Sequence, residues 1–93
     1  MAKNSVPPSF KHAANVAWRR VDAEAVLLNL DSSDYFSLNE AAALIWERLG
    51  KGDSLERIEA AVCAEYEVPP AAALKDIKAL VKELTGKGLL LEA

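Results

Sequence analysis

Ninety-three residues give one small domain, and a chain of that size buries only somewhat more than roughly 60% of its unfolded surface, so its core is economical and a second domain is excluded. Fourteen acidic against eleven basic side chains give a net charge of -3 and a pI near 5.1, which argues against a partner held mainly through phosphates. Cys63 as the sole cysteine excludes an internal disulfide, and with the single His12 it falls short of the roughly four ligands of a structural zinc site.

Residues 1–14 mix polar groups with Pro7 and Pro8 and show no period, so they read as a mobile tail ahead of one domain over 15–93, with Phe10 able to dock on it. The first eight residues lack the apolar segment of a signal peptide, and no apolar run approaches the roughly 18 residues of a membrane helix. A cytoplasmic location is the expectation. From Val16 the pattern has period two: Val16, Trp18 and Arg20 share one face of a strand. After a turn at Asp22 to Glu24, Val26, Leu28 and Leu30 share one face of the next.

Asp31-Ser-Ser-Asp34 is a second turn, and Tyr35 to Leu38 makes a third short strand with Phe36 and Leu38 on one face. Asn39 is placed to cap a helix begun by Glu40 and three alanines. On that helix Ala41, Ala42, Ile45, Trp46 and Leu49 gather on one side, opposite Glu40, Ala43 and Glu47; Gly50 and Gly52 bracket its end. Asp53-Ser-Leu-Glu56 has the spacing of a capping box with Asp53 as cap, followed by an inner stripe of Leu55, Ile58, Val62 and Tyr66. Val68-Pro-Pro70 breaks that helix and opens a third, about Pro70 to Leu84, which buries Leu74, Ile77, Leu80, Val81 and Leu84. Leu89 to Leu91 form a final extended piece. Three short antiparallel strands followed by three helices predict an α+β, winged helix-turn-helix-like fold.

No arrangement for catalysis is readable: there is no nucleophile with a base, no carboxylate pair in a cleft and no phosphate-cradling loop. Asp31 and Asp34 read as turn formers, and Gly50-Lys-Gly52 as the end of a helix. His12 falls in the tail and is expected to be solvated, while Trp18 and Trp46 are expected in the core. On the third helix Lys75, Lys78 and Lys82 flank the apolar stripe, with Asp76 and Glu83 on the far side. That sorting has two readings, a solvated helix face or the positive rim of a groove suited to an acidic peptide or DNA.

The runs Val26-Leu-Leu-Asn-Leu30, Asp34-Tyr-Phe-Ser-Leu-Asn39, Ala42 through Trp46, Gly52-Asp-Ser-Leu55, Tyr66, and Asp76 to Leu84 ahead of Gly88-Leu89 carry a resemblance. Over about Val16 to Leu91 the chain resembles the PqqD-like family, whose members act as precursor-peptide recognition elements in the biosynthesis of ribosomally made, modified peptides (RiPPs). Its turns at Asp22 to Glu24 and Asp31 to Asp34 lack the glycine common in the family's turns.

The resemblance implies a non-catalytic, cofactor-free protein that takes the leader segment of a precursor peptide as a further antiparallel strand. Tyr35, Phe36, Ser37 and Leu38 would supply the edge, and Leu74, Lys75, Lys78, Val81 and Lys82 the facing wall. It further implies a separate maturation enzyme, such as a radical S-adenosylmethionine protein or a leader peptidase. Two other uses of the same elements stay open: a DNA-binding winged helix, handicapped by the net charge, and an edge-strand homodimer.

Overall fold

The computed structural model describes residues 9–93; Pro7, Pro8 and the rest of residues 1–8 lie outside the described residues. The elements in order are β1 (Phe10–His12), β2 (Val16–Val21), β3 (Glu24–Asn29), β4 (Tyr35–Leu38), α1 (Glu40–Gly50), α2 (Leu55–Tyr66), α3 (Pro70–Gly86) and β5 (Leu90–Glu92). The α+β layout of strands followed by three helices is the expected one. β1 is added to it, and the expected extended piece at Leu89 to Leu91 is a strand, β5.

Those two strands pair with each other. β1 runs antiparallel to β5, with Phe10 opposite Glu92 and His12 opposite Leu90, and Phe10 is buried. Residues 10–12 are therefore sheet and not mobile tail. A three-residue strand is too short to show a period, and its partner, the expected extended piece near Leu89 to Leu91, is about 80 positions away, so neither β1 nor the pairing leaves a local mark.

In the main sheet β3 is central, flanked antiparallel by β2 and β4. Its inner face is Ala25, Leu27 and Asn29, all buried, while Val26, Leu28 and Leu30 lie on the outer face. The alternation is real, but the buried row contains an alanine and an asparagine and is less conspicuous than the outer one. Asn29 earns its burial: its Oδ1 accepts from the backbone N–H groups of Asp31 and Ser32 at 2.9 and 3.2 Å, which folds the second turn. Ser33 and, in the first turn, Asp22 adopt positive φ (65° and 58°), so non-glycine residues occupy the left-handed positions.

Helix ends follow side-chain chemistry. Asn39 caps α1 as expected, its Oδ1 accepting from Ala42 N–H at 2.9 Å. For α2 the cap is Ser54, accepting from Arg57 N–H at 3.2 Å, and not Asp53. The Asp53 carboxylate is instead engaged by Arg48 Nη1 at 3.1 Å, which ties the end of α1 to the start of α2. Pro70 opens α3 without a side-chain cap, its missing N–H being one that the first turn would leave unpaired.

The core centres on Trp46, fully buried between the sheet and the helices with Leu27, Leu49, Ile58 and Ile77. Ala43, expected on the outer side of α1, is also fully buried. Trp18 packs edge-on to Trp46 with ring centroids 6.1 Å apart. His12 is not solvated: its imidazole stacks on Trp46 at 3.6 Å between centroids and 6° between planes, and Nε2 donates to the Trp46 carbonyl at 2.8 Å. Burial pushes the imidazole below its ordinary pKa, with the hydrogen bond to Trp46 acting in the opposite direction, so the ring in the stack is neutral at pH 7.

Gly50 allows this stack to close. A Cβ at residue 50 would fall closer than 3.0 Å to the Cε1, Nε2 and Nδ1 atoms of His12, whose ring is held from its other side by Trp46. Gly50→Ala is therefore expected to destabilise the fold by about 1–3 kcal/mol, overriding the roughly 1 kcal/mol that alanine gains in a helix. In a His12→Ala background the same change should be neutral or stabilising. Urea unfolding of the four proteins of this cycle checks both statements.

Candidate peptide-binding groove

β4 is an edge strand, and its backbone can be sorted by direction. Asn29 N–H donates to the Asp34 carbonyl at 2.9 Å, which makes that pair hydrogen-bonded. With Leu27 opposite Phe36 and Ala25 opposite Leu38, Phe36 and Leu38 turn their backbone groups towards β3. Tyr35 and Ser37 therefore present their N–H and C=O groups to the free side. Their side chains project from the outer face, Tyr35 being 72% exposed, while Phe36 and Leu38 project inward.

Beside this free edge lies a cleft of about 430 Å³ between β4 and α3. Phe36, Leu38, Ala42, Leu80 and Leu84 give it an apolar lining, and Glu83 and Lys87 stand at its rim. Past Asn39, Leu80 and Glu83 it continues into a second cleft of about 280 Å³, bounded by Ala41, Ala42 and Ile45 of α1 and by Asp76 and Ala79 of α3. Lys87 crosses the mouth at one end, with Nζ 5.0 Å from the centre of the Phe36 ring and 4.0 Å from Glu83 Oε2. The other free edge of the sheet, on β2, adjoins neither of these; a separate cleft of about 430 Å³ lies on the outer face of the sheet, lined by Ala17, Arg19, Val21, Val26, Leu28 and Tyr35.

Of the expected site residues, the structure brings Tyr35, Phe36, Ser37 and Leu38 to this groove. It does not bring Leu74, Lys75, Lys78, Val81 or Lys82 there. Leu74 and Val81 are half-buried on the other flank of α3, about 100–120° round the helix from Leu80, and Val81 packs against the core. Lys75, Lys78 and Lys82 are exposed, roughly 140–160° from Leu80. The helix carries apolar residues on both flanks of its buried row of Ala73, Ile77 and Leu84, and one flank meets the groove. Helical spacing alone does not say which.

The residues that do form the wall, Asp76, Leu80, Glu83 and Lys87, follow one another at helical spacings of three and four. That row was readable, but Lys87 lies past the expected end of the helix at Leu84. The groove's charge is accordingly acidic towards Asn39 and basic only at Lys87.

An exposed edge strand beside a cleft under a helix defines a small α+β domain with the geometry of strand addition. The profile of the family described as coenzyme PQQ synthesis protein D (PqqD) matches residues 24–90, and the chain belongs to that family. Two solved structures are similar along nearly their whole length. One is TbiB1 in complex with the TbiA(beta) leader peptide, at 35% identity and a TM-score of 0.81, covering 86% of this chain and 93% of that one. The other is lasso peptide synthetase B1 complexed with the leader peptide, at 36% identity and a TM-score of 0.82, covering 89% and 98%. No curated protein sequence gives a significant match.

Proposed function

We propose that this protein is a non-catalytic RiPP recognition element: it captures the leader segment of a ribosomally made precursor peptide on β4 and presents the peptide to a separate maturation enzyme. The observation that carries this reading is the free edge of β4 opening onto the cleft under α3, whose floor is apolar and whose rim is charged. It is supported by two relatives of similar fold and length, each in a complex with a leader peptide.

The leader would lie antiparallel to β4, exchanging main-chain hydrogen bonds with Tyr35 and Ser37 while alternate side chains enter the cleft against Phe36, Leu80 and Leu84. Each such hydrogen bond contributes a net of about 0.5–1.5 kcal/mol and each buried apolar side chain about 1.5–3 kcal/mol. Association and ordering cost about 4–15 kcal/mol, so several of these contacts acting together are needed for roughly micromolar capture. A bound leader holds the downstream segment near the enzyme, at an effective concentration on the order of millimolar for a short tether. No step of covalent chemistry falls to this chain.

Titration of the leader of a precursor peptide encoded beside this gene into isotope-labelled protein tests the reading. Amide shifts are expected at Tyr35 to Leu38 and along Asp76 to Lys87. Shifts confined to β2, or to the exposed Lys75, Lys78 and Lys82 face, would count against it.

A further inference from the structure

The charged groups that line the groove are not distributed evenly. Asp76 sits at the end bounded by Asn39 and Ala41, Glu83 faces the middle, and Lys87 stands over Phe36 at the end bounded by Tyr35. α3 runs antiparallel to β4, so the acidic and basic ends map onto opposite ends of the edge strand. From Asp76 to Lys87 the helix advances roughly 16 Å, the length of about five residues of extended chain. Three alternate side chains of an added strand would therefore face the wall: one by Asp76, one over Leu80 and Leu84, and one by Lys87.

An antiparallel strand enters at the Asn39 end and leaves at the Tyr35 end, since β4 itself runs from Tyr35 to Leu38. The helix dipoles oppose the side-chain charges, because the α1 N-terminus lies at the acidic end and the α3 C-terminus at the basic end. Each terminus amounts to about half an elementary charge, and that of α1 is already capped by Asn39, so the full charges of Asp76, Glu83 and Lys87 decide the sign.

Resting on the leader-binding reading, we propose that the groove selects its peptide by charge order: a basic side chain at position i, an apolar one at i+2 and an acidic one at i+4. Lys87 is then a specificity-determining residue. The same Lys87 ammonium, which in the unoccupied groove covers the Phe36 ring and lies 4.0 Å from Glu83 Oε2, would turn from this loose exposed pair to the acidic side chain at i+4 and uncover the ring for the peptide.

Selection from a random library of displayed 14-residue peptides against the full chain at low ionic strength tests this. Selected peptides should carry Lys or Arg two residues before an apolar position and Asp or Glu two residues after it, each enriched roughly fivefold over the library. Lys87→Glu should convert the preference at i+4 from acidic to basic, and Lys75→Glu, on the far face of α3, should leave the profile as it was. Selected peptides that shift the Tyr35 to Leu38 amides but show no charge order, or the reverse order, overturn the charge rule and leave strand addition standing. Failure to enrich any peptide, or enrichment of peptides that leave those amides unmoved, overturns strand addition and the charge rule with it.

Discussion

Trp46→Ala is expected to remove about 3–5 kcal/mol of stability, the largest loss of any single substitution considered for this domain. Trp46 is 0% exposed, and two strands close on it: His12 of β1 stacks on its ring and Trp18 of β2 packs edge-on. Truncation leaves a cavity and frees the imidazole that anchors β1. For a domain of this size total stability is of order 5–15 kcal/mol, so the loss is a large share of the total and the variant should unfold at a markedly lower temperature.

Trp46→Phe should cost much less than the alanine change. The indole Nε1–H is buried without a hydrogen-bond partner among the described residues, so phenylalanine removes an unpaired donor along with the lost volume. Urea unfolding followed by far-UV circular dichroism, which does not depend on the tryptophan itself, measures both. A Phe variant as unstable as the Ala variant would show that the unpaired N–H does not offset the missing ring.

Ser37→Pro should abolish most leader binding while keeping the fold. Ser37 turns its N–H away from β3, so proline there removes no bond of the sheet and is placed on the one side of an edge strand that tolerates it. Its ring takes away a donor needed by an added strand and obstructs the strand's approach. Affinity should fall roughly 10- to 100-fold. Ser37→Ala is the matched control, because the hydroxyl points out of the sheet and affinity should stay within about twofold. Calorimetric titration of the leader reads both variants, with circular dichroism as the check on folding. Equal binding by the proline variant would exclude β4 as the receiving edge.

Helical periods and turn residues located α1, α2 and α3, the Asn39 cap and the β4 strand, because each depends on neighbours within four positions. The β1–β5 pair escaped because pairing of the two chain ends has no local signal, and with it went the place of His12. Of the groove's two walls, the strand wall coincides with the expected Tyr35 to Leu38, and the helix wall does not include Leu74, Lys75, Lys78, Val81 or Lys82. The sorted lysines of α3 drew attention to a solvated face. The groove flank carries Asp76, Glu83 and Lys87, whose mixed charge looks unremarkable until β4 is set beside it.

The pairing of the first and last described segments in one small sheet bears on how this domain could be joined to others. Ala93 N–H donates to the Ser9 carbonyl at 3.0 Å, so the first and last described residues meet at one point on the surface. A catalytic domain attached before Ser9 would hang from the same anchor as one attached after Ala93. Domains fused in either order would therefore start their linkers from the same point on the surface, and this unit would serve equally as a prefix or a suffix.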